Sequence, residues 1–329
     1  MTNGPTTTST IERVLLAEPR GFCAGVEMAI KALQWMVEAF DPPVYCYHEI
    51  VHNRIVVERF REQGVVFVDD IDAVPEGAPL MLSAHGSAPA VVSAARERDR
   101  VVVNAVCPLV TKVHHEAKVR AQKGYTVLYV GHEGHDEATG TLAVAPDAIR
   151  LVAEEADLDT VAGTVGDPEK VALLAQTTLS LNDWQGVMAE ARERFPALWT
   201  AARDDLCFAT TNRQQALREI ATRADAIVVI GSANSSNTIA LTKVARDAGC
   251  RRVLRVDAPD EIDDDEIGDA RVVGVTAGAS APEELVQAVI ARLAPRDGVE
   301  TVHVTDEDEY FPPPRDLREL QARLRAPGT

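Results

Sequence analysis

Three cysteines in this chain each stand where a short apolar run meets an amphipathic segment: Cys23 in VLLAEPRGFCAGVEMAIKAL, Cys107 in VVVNAVCPLVTKVHHEAKVRAQKG and Cys207 in DDLCFATTNRQQALREIATRAD. The apolar positions after Cys23 are Val26, Ile30, Leu33, Val37 and Phe40. Those after Cys107 are Val110, Val113, Ala117 and Ala121, and those after Cys207 are Leu217, Ile220, Ala221 and Ala224. Steps of this kind are the period of a helix with one buried face. Beyond each helix, an apolar run ending in a polar cluster occurs twice. The first set is VYCYHEIVHN, YTVLYVGHEGHDEATG and AIVVIGSANSSNT; the second is LMLSAHGSAP, VALLAQTTLS and RVVGVTAGASAP. A threefold order of cysteine–helix, strand–cluster, strand–cluster predicts three similar α/β units with parallel sheets. Ligands of open parallel sheets bind beyond the carboxyl ends of the strands. The cysteine turns and polar clusters all fall at such ends, so a pseudo-threefold assembly with a central cavity is expected, one cysteine arriving from each unit.

At 329 residues the chain suggests two or three domains. Its formal net charge of -18 argues against nucleic acid or an anionic membrane as a partner. No apolar run is long enough to cross a bilayer. Much of the acid is local, as in DAPDEIDDDEIGD, which reads as a solvated loop. The polar opening MTNGPTTTST has no apolar signal region and reads as a disordered lead, so a cytoplasmic protein is expected. Five scattered cysteines, an odd number, argue against disulfides and toward metal binding or catalysis.

Three thiolates in one cavity have few uses. An iron–sulfur cluster takes thiolate ligands, and with three of them one iron of a [4Fe-4S] cube lacks a protein thiolate and can bind substrate as a Lewis acid. Zinc held by three cysteines and a histidine is the competing reading, although structural zinc sites usually bring their cysteines in close pairs and none occurs here. Three unrelated buried thiols are the third. Cys46, inside VYCY, and Cys250, after Gly249, read as core residues. Of the eight histidines, His48, His52, His85, His132 and His135 lie in the polar clusters, whereas His114, His115 and His303 read as packing or surface residues. SANSSNT and TAGASAP offer hydroxyls and amides before predicted helices, and a helix amino terminus with such donors can bind phosphate without lysine or arginine. Taken singly, each is also an ordinary N-cap. No Walker loop or GxGxxG element supports nucleotide binding. Three acids in GHEGHDE, Glu133, Asp136 and Glu137, are candidates for general acid work beside a metal.

Taken together, PRGFCAGVEMAI, HEIVHN, SAHG, CPLVTKVH, GHEGHDE, QTTLS, TTNRQ, GSANSSN and TAGASAP resemble the 4-hydroxy-3-methylbut-2-enyl diphosphate reductase family, in order, from about residue 13 to 292. The resemblance implies a trefoil of three α/β domains around a central [4Fe-4S] cluster with Cys23, Cys107 and Cys207 as its ligands. It implies diphosphate binding by His52, His85, His135, Ser235, Ser236, Asn237 and Ser280. Glu137 and Thr177 match the residues that handle the proton and the substrate hydroxyl, with Thr178 adjacent as a further substrate contact. The implied activity is reductive dehydroxylation of the allylic diphosphate to isopentenyl and dimethylallyl diphosphate, with a donor such as ferredoxin or flavodoxin. A cluster-dependent hydro-lyase and a zinc-stabilised binding protein are the alternatives. The seams are expected near the cysteines: a lead over 1–11, domains over 24–107 and 108–204, a third of 12–23 with 205–292, and a tail over 293–329.

Overall fold

The computed structural model of the chain describes residues 10–155, 157–201 and 205–325. Of the expected lead, residues 1–9 lie outside the described residues, as do 202–204 at one expected seam and the end of the tail. Ile11 is already buried, and its carbonyl accepts from the Arg296 amide at 3.1 Å.

The chain divides into two compact units, residues 24–207 with 309–329 and residues 1–23 with 208–308. The first strand, β1 (Arg13–Glu18), belongs to the latter. Next come α1 (Ala24–Ala39), β2 (Val44–Tyr47), α2 (Arg54–Glu62), β3 (Val65–Val68), β4 (Pro79–Leu82), α3 (Pro89–Arg96) and β5 (Val101–Asn104). Their strands form a four-stranded parallel sheet in the order β3-β2-β4-β5. A second set repeats the pattern: α4 (Pro108–Gln122), β6 (Thr126–Val130), α5 (Asp136–Leu142), β7 (Ile149–Val152), α6 (Asp157–Ala162), β8 (Val171–Ala175), α7 (Leu181–Arg194) and β9 (Trp199–Thr200). It gives the parallel sheet β7-β6-β8-β9. A third set is α8 (Phe208–Ala221), β10 (Ala226–Ile230), α9 (Ser236–Asp247), β11 (Arg252–Val256), α10 (Asp264–Ile267), β12 (Val272–Ala277), α11 (Glu283–Leu293) and β13 (Val299–His303). Its sheet is β11-β10-β12-β1-β13, again parallel. The first strand of the chain thus fills the place that β5 and β9 take in the other two sheets. These are three parallel-sheet α/β domains, two of them within one compact unit.

Central strands read as unbroken apolar runs because both faces are covered. VALLA of β8 and AIVVI of β10 are buried throughout. Alternate residues of β6 serve opposite cores: Leu128 and Val130 pack with Trp184, Val187 and Phe195, and Val127 and Tyr129 with Val113, Ala117 and Ala138. The stripe expected on α1 is corrected by the structure. Of Val26, Ile30, Leu33, Val37 and Phe40 only Leu33 is buried; the covered face is Met28, Ala29, Ala32, Leu33 and Met36. Small alanines and flexible methionines thus fill the covered face, and the branched residues lie only partly covered beside it. The acidic segment read as a loop forms a short 3-10 turn and α10, held down by buried Ile262 and Ile267. The tail also supplies structure. It provides β13 beside β1 and α12 (Arg315–Arg325), where Asp316 Oδ2 accepts from the Asn104 amide of β5 at 3.2 Å and Leu317 and Leu320 are buried.

Each cysteine turn is tied back to its own sheet in the same way. The Cys107 amide donates to Ala84 O at 3.0 Å, just past β4; Cys207 donates to Thr177 O at 3.0 Å, just past β8; Cys23 donates to Ala279 O at 3.2 Å, just past β12. At the end of β10, Gly231 has φ +146° and faces Thr238 so closely that an added Cβ would lie 2.3 Å from Thr238 Oγ1. Only glycine fits both constraints. Gly231→Ala should therefore cost about 1–3 kcal/mol, the usual range for forced strain. The cost should exceed that of Gly249→Ala, where φ is +92° but nothing lies within 4 Å of an added Cβ. Urea unfolding of the two variants decides it: equal losses would show that the close approach to Thr238 is irrelevant.

Candidate active site

Beyond β6 the turn through Gly131 and Gly134 leads into α5. His135 caps that helix, its Nδ1 accepting from the Glu137 amide at 3.1 Å. This fixes Glu137 in the first turn, where its side chain is buried, 2% exposed. Thr177, just past β8, meets it with two donors: its amide reaches Oε1 at 2.7 Å and its hydroxyl reaches Oε2 at 2.9 Å. Burial pushes the Glu137 carboxyl up to about 7, with the charge of Asp205 adding to the rise and the two bonds from Thr177 opposing it. The carbonyl of the same threonine accepts the Cys207 amide. Asp205 is buried as well, and burial lifts its carboxyl to about 6 although Lys112 Nζ lies 3.4 Å away. Thr178 is engaged elsewhere, its hydroxyl accepting from Gln176 Nε2 at 2.9 Å while Gln176 Oε1 accepts from the His132 amide at 2.9 Å. Of the three acids in this turn, Glu133 is exposed, Asp136 joins a group of histidines and Glu137 alone meets Thr177.

The histidines come from the ends of β2, β4 and β6. His52 and His85 stack with ring centres 3.9 Å apart at 14°, and His135 stands edge-on to both, at 5.1 and 5.9 Å. Asp136 faces the group. Its Oδ1 is 2.6 Å from His48 Nδ1, and its Oδ2 is 3.7 Å from both His52 Nε2 and His85 Nδ1. The hydrogen bond to Asp136 raises His48 above the ordinary imidazole value. Burial acts in the opposite sense on His85, which lies well below that value, and on His135, brought down to about 4; neighbouring histidines add to both effects. Burial alone would raise the Asp136 carboxyl, but the hydrogen bond and charge of His48, with His52 and His135, leave it below the usual range. One donor atom each of His52, His85 and Asp136 lie within 4.8 Å of one another, as for a metal. The two stacked rings, however, hold their in-plane lone pairs in nearly parallel planes, which suits N–H donors lined up along an anion better than a tetrahedral cation.

Ser235, Ser236, Asn237 and Ser280 are all buried in the unit that contains Cys23. Ser235 caps α9, its Oγ accepting from the Thr238 amide at 3.4 Å and lying 3.5 Å from Ser280 Oγ. Asn237 Oδ1 accepts from the Ala279 amide at 2.9 Å, and the Ala279 carbonyl is the one that holds Cys23. The amino end of a helix carrying hydroxyl and amide donors is electrostatically suited to an anion. Cys23, Cys107 and Cys207 are partly exposed at their turns, whereas Cys46 and Cys250 are buried. Burial raises the Cys46 and Cys250 thiols, which disfavours their thiolate forms. Sequence reasoning passed over Arg213 and Glu307. Arg213 is 1% exposed and lies on an amphipathic helix, where an arginine reads as solvated; the only signal was its place in TTNRQ.

The LytB protein family matches residues 14–294. The chain is 49% identical over 316 residues to 4-hydroxy-3-methylbut-2-enyl diphosphate reductase of Rhodopirellula baltica, covering 95% of this chain and 98% of that protein. It is 47% identical over 309 residues to 4-hydroxy-3-methylbut-2-enyl diphosphate reductase 2 of Mycobacterium tuberculosis, covering 93% and 92%. Among solved structures, the E-1-hydroxy-2-methyl-but-2-enyl-4-diphosphate reductase of Plasmodium falciparum matches with a TM-score of 0.90 and 29% identity over 95% of this chain and 99% of that one. A structure described as (E)-4-hydroxy-3-methyl-but-2-enyl diphosphate reductase, the terminal enzyme of the non-mevalonate pathway, matches with a TM-score of 0.61 and 27% identity, over 86% and 99%.

The raised Glu137 carboxyl has a thermodynamic signature. Its value in the folded chain, about 7, lies above the ordinary 4.5. Between those values the folded chain holds a proton that the unfolded chain has released. The stabilisation is thus fully present below about 4.5 and lost as pH rises through about 7. Glu137→Gln, which cannot ionise, should gain stability relative to the parent as pH rises from 5 to 8, by roughly 2–4 kcal/mol at the upper end. Unfolding midpoints measured across that range test this. A difference independent of pH would mean that the carboxyl is not raised.

Proposed function

The chain belongs to the LytB family, and from that premise we propose that it reduces 4-hydroxy-3-methylbut-2-enyl diphosphate to isopentenyl and dimethylallyl diphosphate, the closing step of the non-mevalonate route to isoprenoids. The reaction consumes two electrons and two protons. The allylic C–O bond breaks, one proton leaves with the oxygen as water, and the other is added to carbon at either end of the allyl anion.

One observation supports the reading above the rest. Glu137 is a buried carboxyl near neutrality, held by the amide and hydroxyl of Thr177, and the carbonyl of Thr177 holds Cys207. An acid with a value near the working pH is half loaded and still a competent donor. In this reading Thr177 orients the substrate hydroxyl and Glu137 supplies the proton that leaves with it as water, in a site that excludes bulk water. The donor set at the cysteines fits three thiolate ligands: three partly exposed thiols at equivalent turns, with the remaining two cysteines buried. Cys23, Cys107 and Cys207 would hold a [4Fe-4S] cluster with one iron lacking a protein thiolate. Such a cluster, when bound, supplies electrons one at a time and a Lewis-acidic site for oxygen. His52, His85 and His135 on the one hand, and Ser235, Ser236, Asn237 and Ser280 on the other, are proposed as the diphosphate donors, with Thr178 as a further substrate contact. A ferredoxin or flavodoxin is the proposed electron source, in the cytoplasm. No helix among the described residues is long and apolar enough to cross a membrane.

Anaerobic iron and sulfide analysis with assays on the allylic diphosphate tests the whole reading, and turnover that continues without reductant would favour a hydro-lyase instead. Ser at Cys23, Cys107 or Cys207 should remove most of the bound iron, because clusters select soft thiolates over oxygen. Ser at Cys46 or Cys250 should leave iron near the parent level, so equal loss at all five positions would refute the ligand assignment.

Glu137→Gln separates proton delivery from binding. It should keep the cluster spectrum and substrate binding while slowing turnover by about 10²–10⁴-fold, the usual contribution of a general acid. Turnover within about threefold of the parent under saturating reductant would hand the role to another group.

A further inference from the structure

The segment that delivers Cys23 is held differently from its counterparts. Cys107 and Cys207 follow the strands of their own sheets in sequence, but Cys23 follows β1, which lies far along the chain from the rest of its sheet. Closing so long a loop carries an entropic cost, which the pairing of β1 with β12 and β13 and contacts at the turn after it offset. Arg213, on α8, makes those contacts. Its Nε donates to Gly21 O at 2.9 Å and its Nη2 to Phe22 O at 3.1 Å, the two carbonyls directly before Cys23. Its Nη1 reaches Ala209 O at 2.8 Å and both oxygens of Glu307 at 2.9 and 3.0 Å. Glu307 also accepts from Asn212 Nδ2 at 3.0 Å. On the other side of the segment, the Gly21 amide donates to Ala277 O at 3.1 Å and the Cys23 amide to Ala279 O at 3.2 Å. Gly21 sits at φ +65°, the hand that a close turn against Ala281 requires.

A guanidinium cannot shed its proton, and burying it without a counter-charge is strongly destabilising. Glu307 supplies that charge. It lies beyond residue 294, where the family match ends. Its planar partner offers donors in a fixed fork, which a lysine could not reproduce. We propose that Arg213 and Glu307 form a clamp that positions the Cys23 turn, so that the segment after β13 serves the thiolate ligand rather than merely finishing the sheet. The proposal rests on the assignment of Cys23 as a cluster ligand.

Glu307→Gln keeps the size of a partly exposed side chain and leaves Arg213 in place. Glu300→Gln is the control; this residue is partly exposed on β13 and pairs with Arg13 and Arg223. Both are compared with the parent as full-length, anaerobically reconstituted protein, by amide hydrogen exchange and by iron release to a chelator. In Glu307→Gln, exchange at Gly21 and Cys23 should rise about tenfold, as for the loss of one charge-assisted hydrogen bond, and iron should leave faster. Peptides around Cys107 and Cys207 should be unchanged, which a general loosening would not produce. Glu307→Asp, with the charge kept and the reach shortened, should fall between, and it serves as the reporter should the glutamine variant fail to fold. Exchange at Gly21 and Cys23 within about twofold of the Glu300→Gln control, or an equal rise at all three turns, would overturn the clamp. A parent that assembles no cluster would refute the ligand assignment alone; the exchange comparison would still decide the clamp.

Discussion

Three backbone hydrogen bonds organise everything that is chemically interesting in this chain. The amides of Cys23, Cys107 and Cys207 each donate to a carbonyl just past the end of the neighbouring strand, at Ala279, Ala84 and Thr177. Because these bonds join main chain to main chain, they ask nothing of the side chain at the accepting residue. Turns of unlike sequence therefore acquire the same geometry, and the accepting position can diversify. Where it is Thr177 the side chain engages an acid; where it is Ala279 its amide is taken by Asn237. One scaffold, used three times, thus carries three different polar clusters without three different folds.

Adjacent residues in one turn show how strongly surroundings decide the chemistry. Asp136 and Glu137 begin the same short helix. Asp136 points among histidines, which hold it below the ordinary carboxylate value. Glu137 points the other way, into a buried position where its partners are neutral groups of Thr177, and burial lifts it to about 7. The first is a permanent counter-charge, the second a proton store. That separation of two carboxyls by environment is a recurring pattern at sites that move protons near neutral pH.

The fold was legible where the physics is local. Strand runs, helix periods and the repeat of cysteine junctions follow from spacing, and they yielded parallel α/β domains correctly. Two strands per repeat were visible because each ends in a cluster of histidines, hydroxyls or amides; the edge strands β3, β7 and β11 run instead into acidic segments. β13 was missed because VETVH alternates exposed residues on an edge and contributes little core. On α1 the periodicity was right but the phase was not, since a buried alanine carries less hydrophobic signal than the branched residues flanking it. For the site, residue types pointed to histidines and to a short set of acids; the family resemblance picked Glu137 from that set, and the tertiary structure shows how its surroundings differ from those of Asp136 and Glu133. Arg213 and Glu307 were illegible for a deeper reason. A buried arginine is recognised by its partners, and these come from sequence-distant carbonyls and from the tail.

The histidine group is the proposed diphosphate site, and its close packing bears on why imidazoles rather than lysine or arginine stand there. Ring centres stand between 3.9 and 5.9 Å apart. Permanently charged groups at such separations would repel one another strongly wherever solvent is excluded. Imidazoles avoid this because they can be neutral when the pocket is empty, as burial and mutual repulsion keep His85 and His135. In the proposed reading, a diphosphate bound beside them would favour the charged form, so positive charge would be recruited together with the ligand. Asp136 faces His48 at the edge of the group and raises it rather than lowering it.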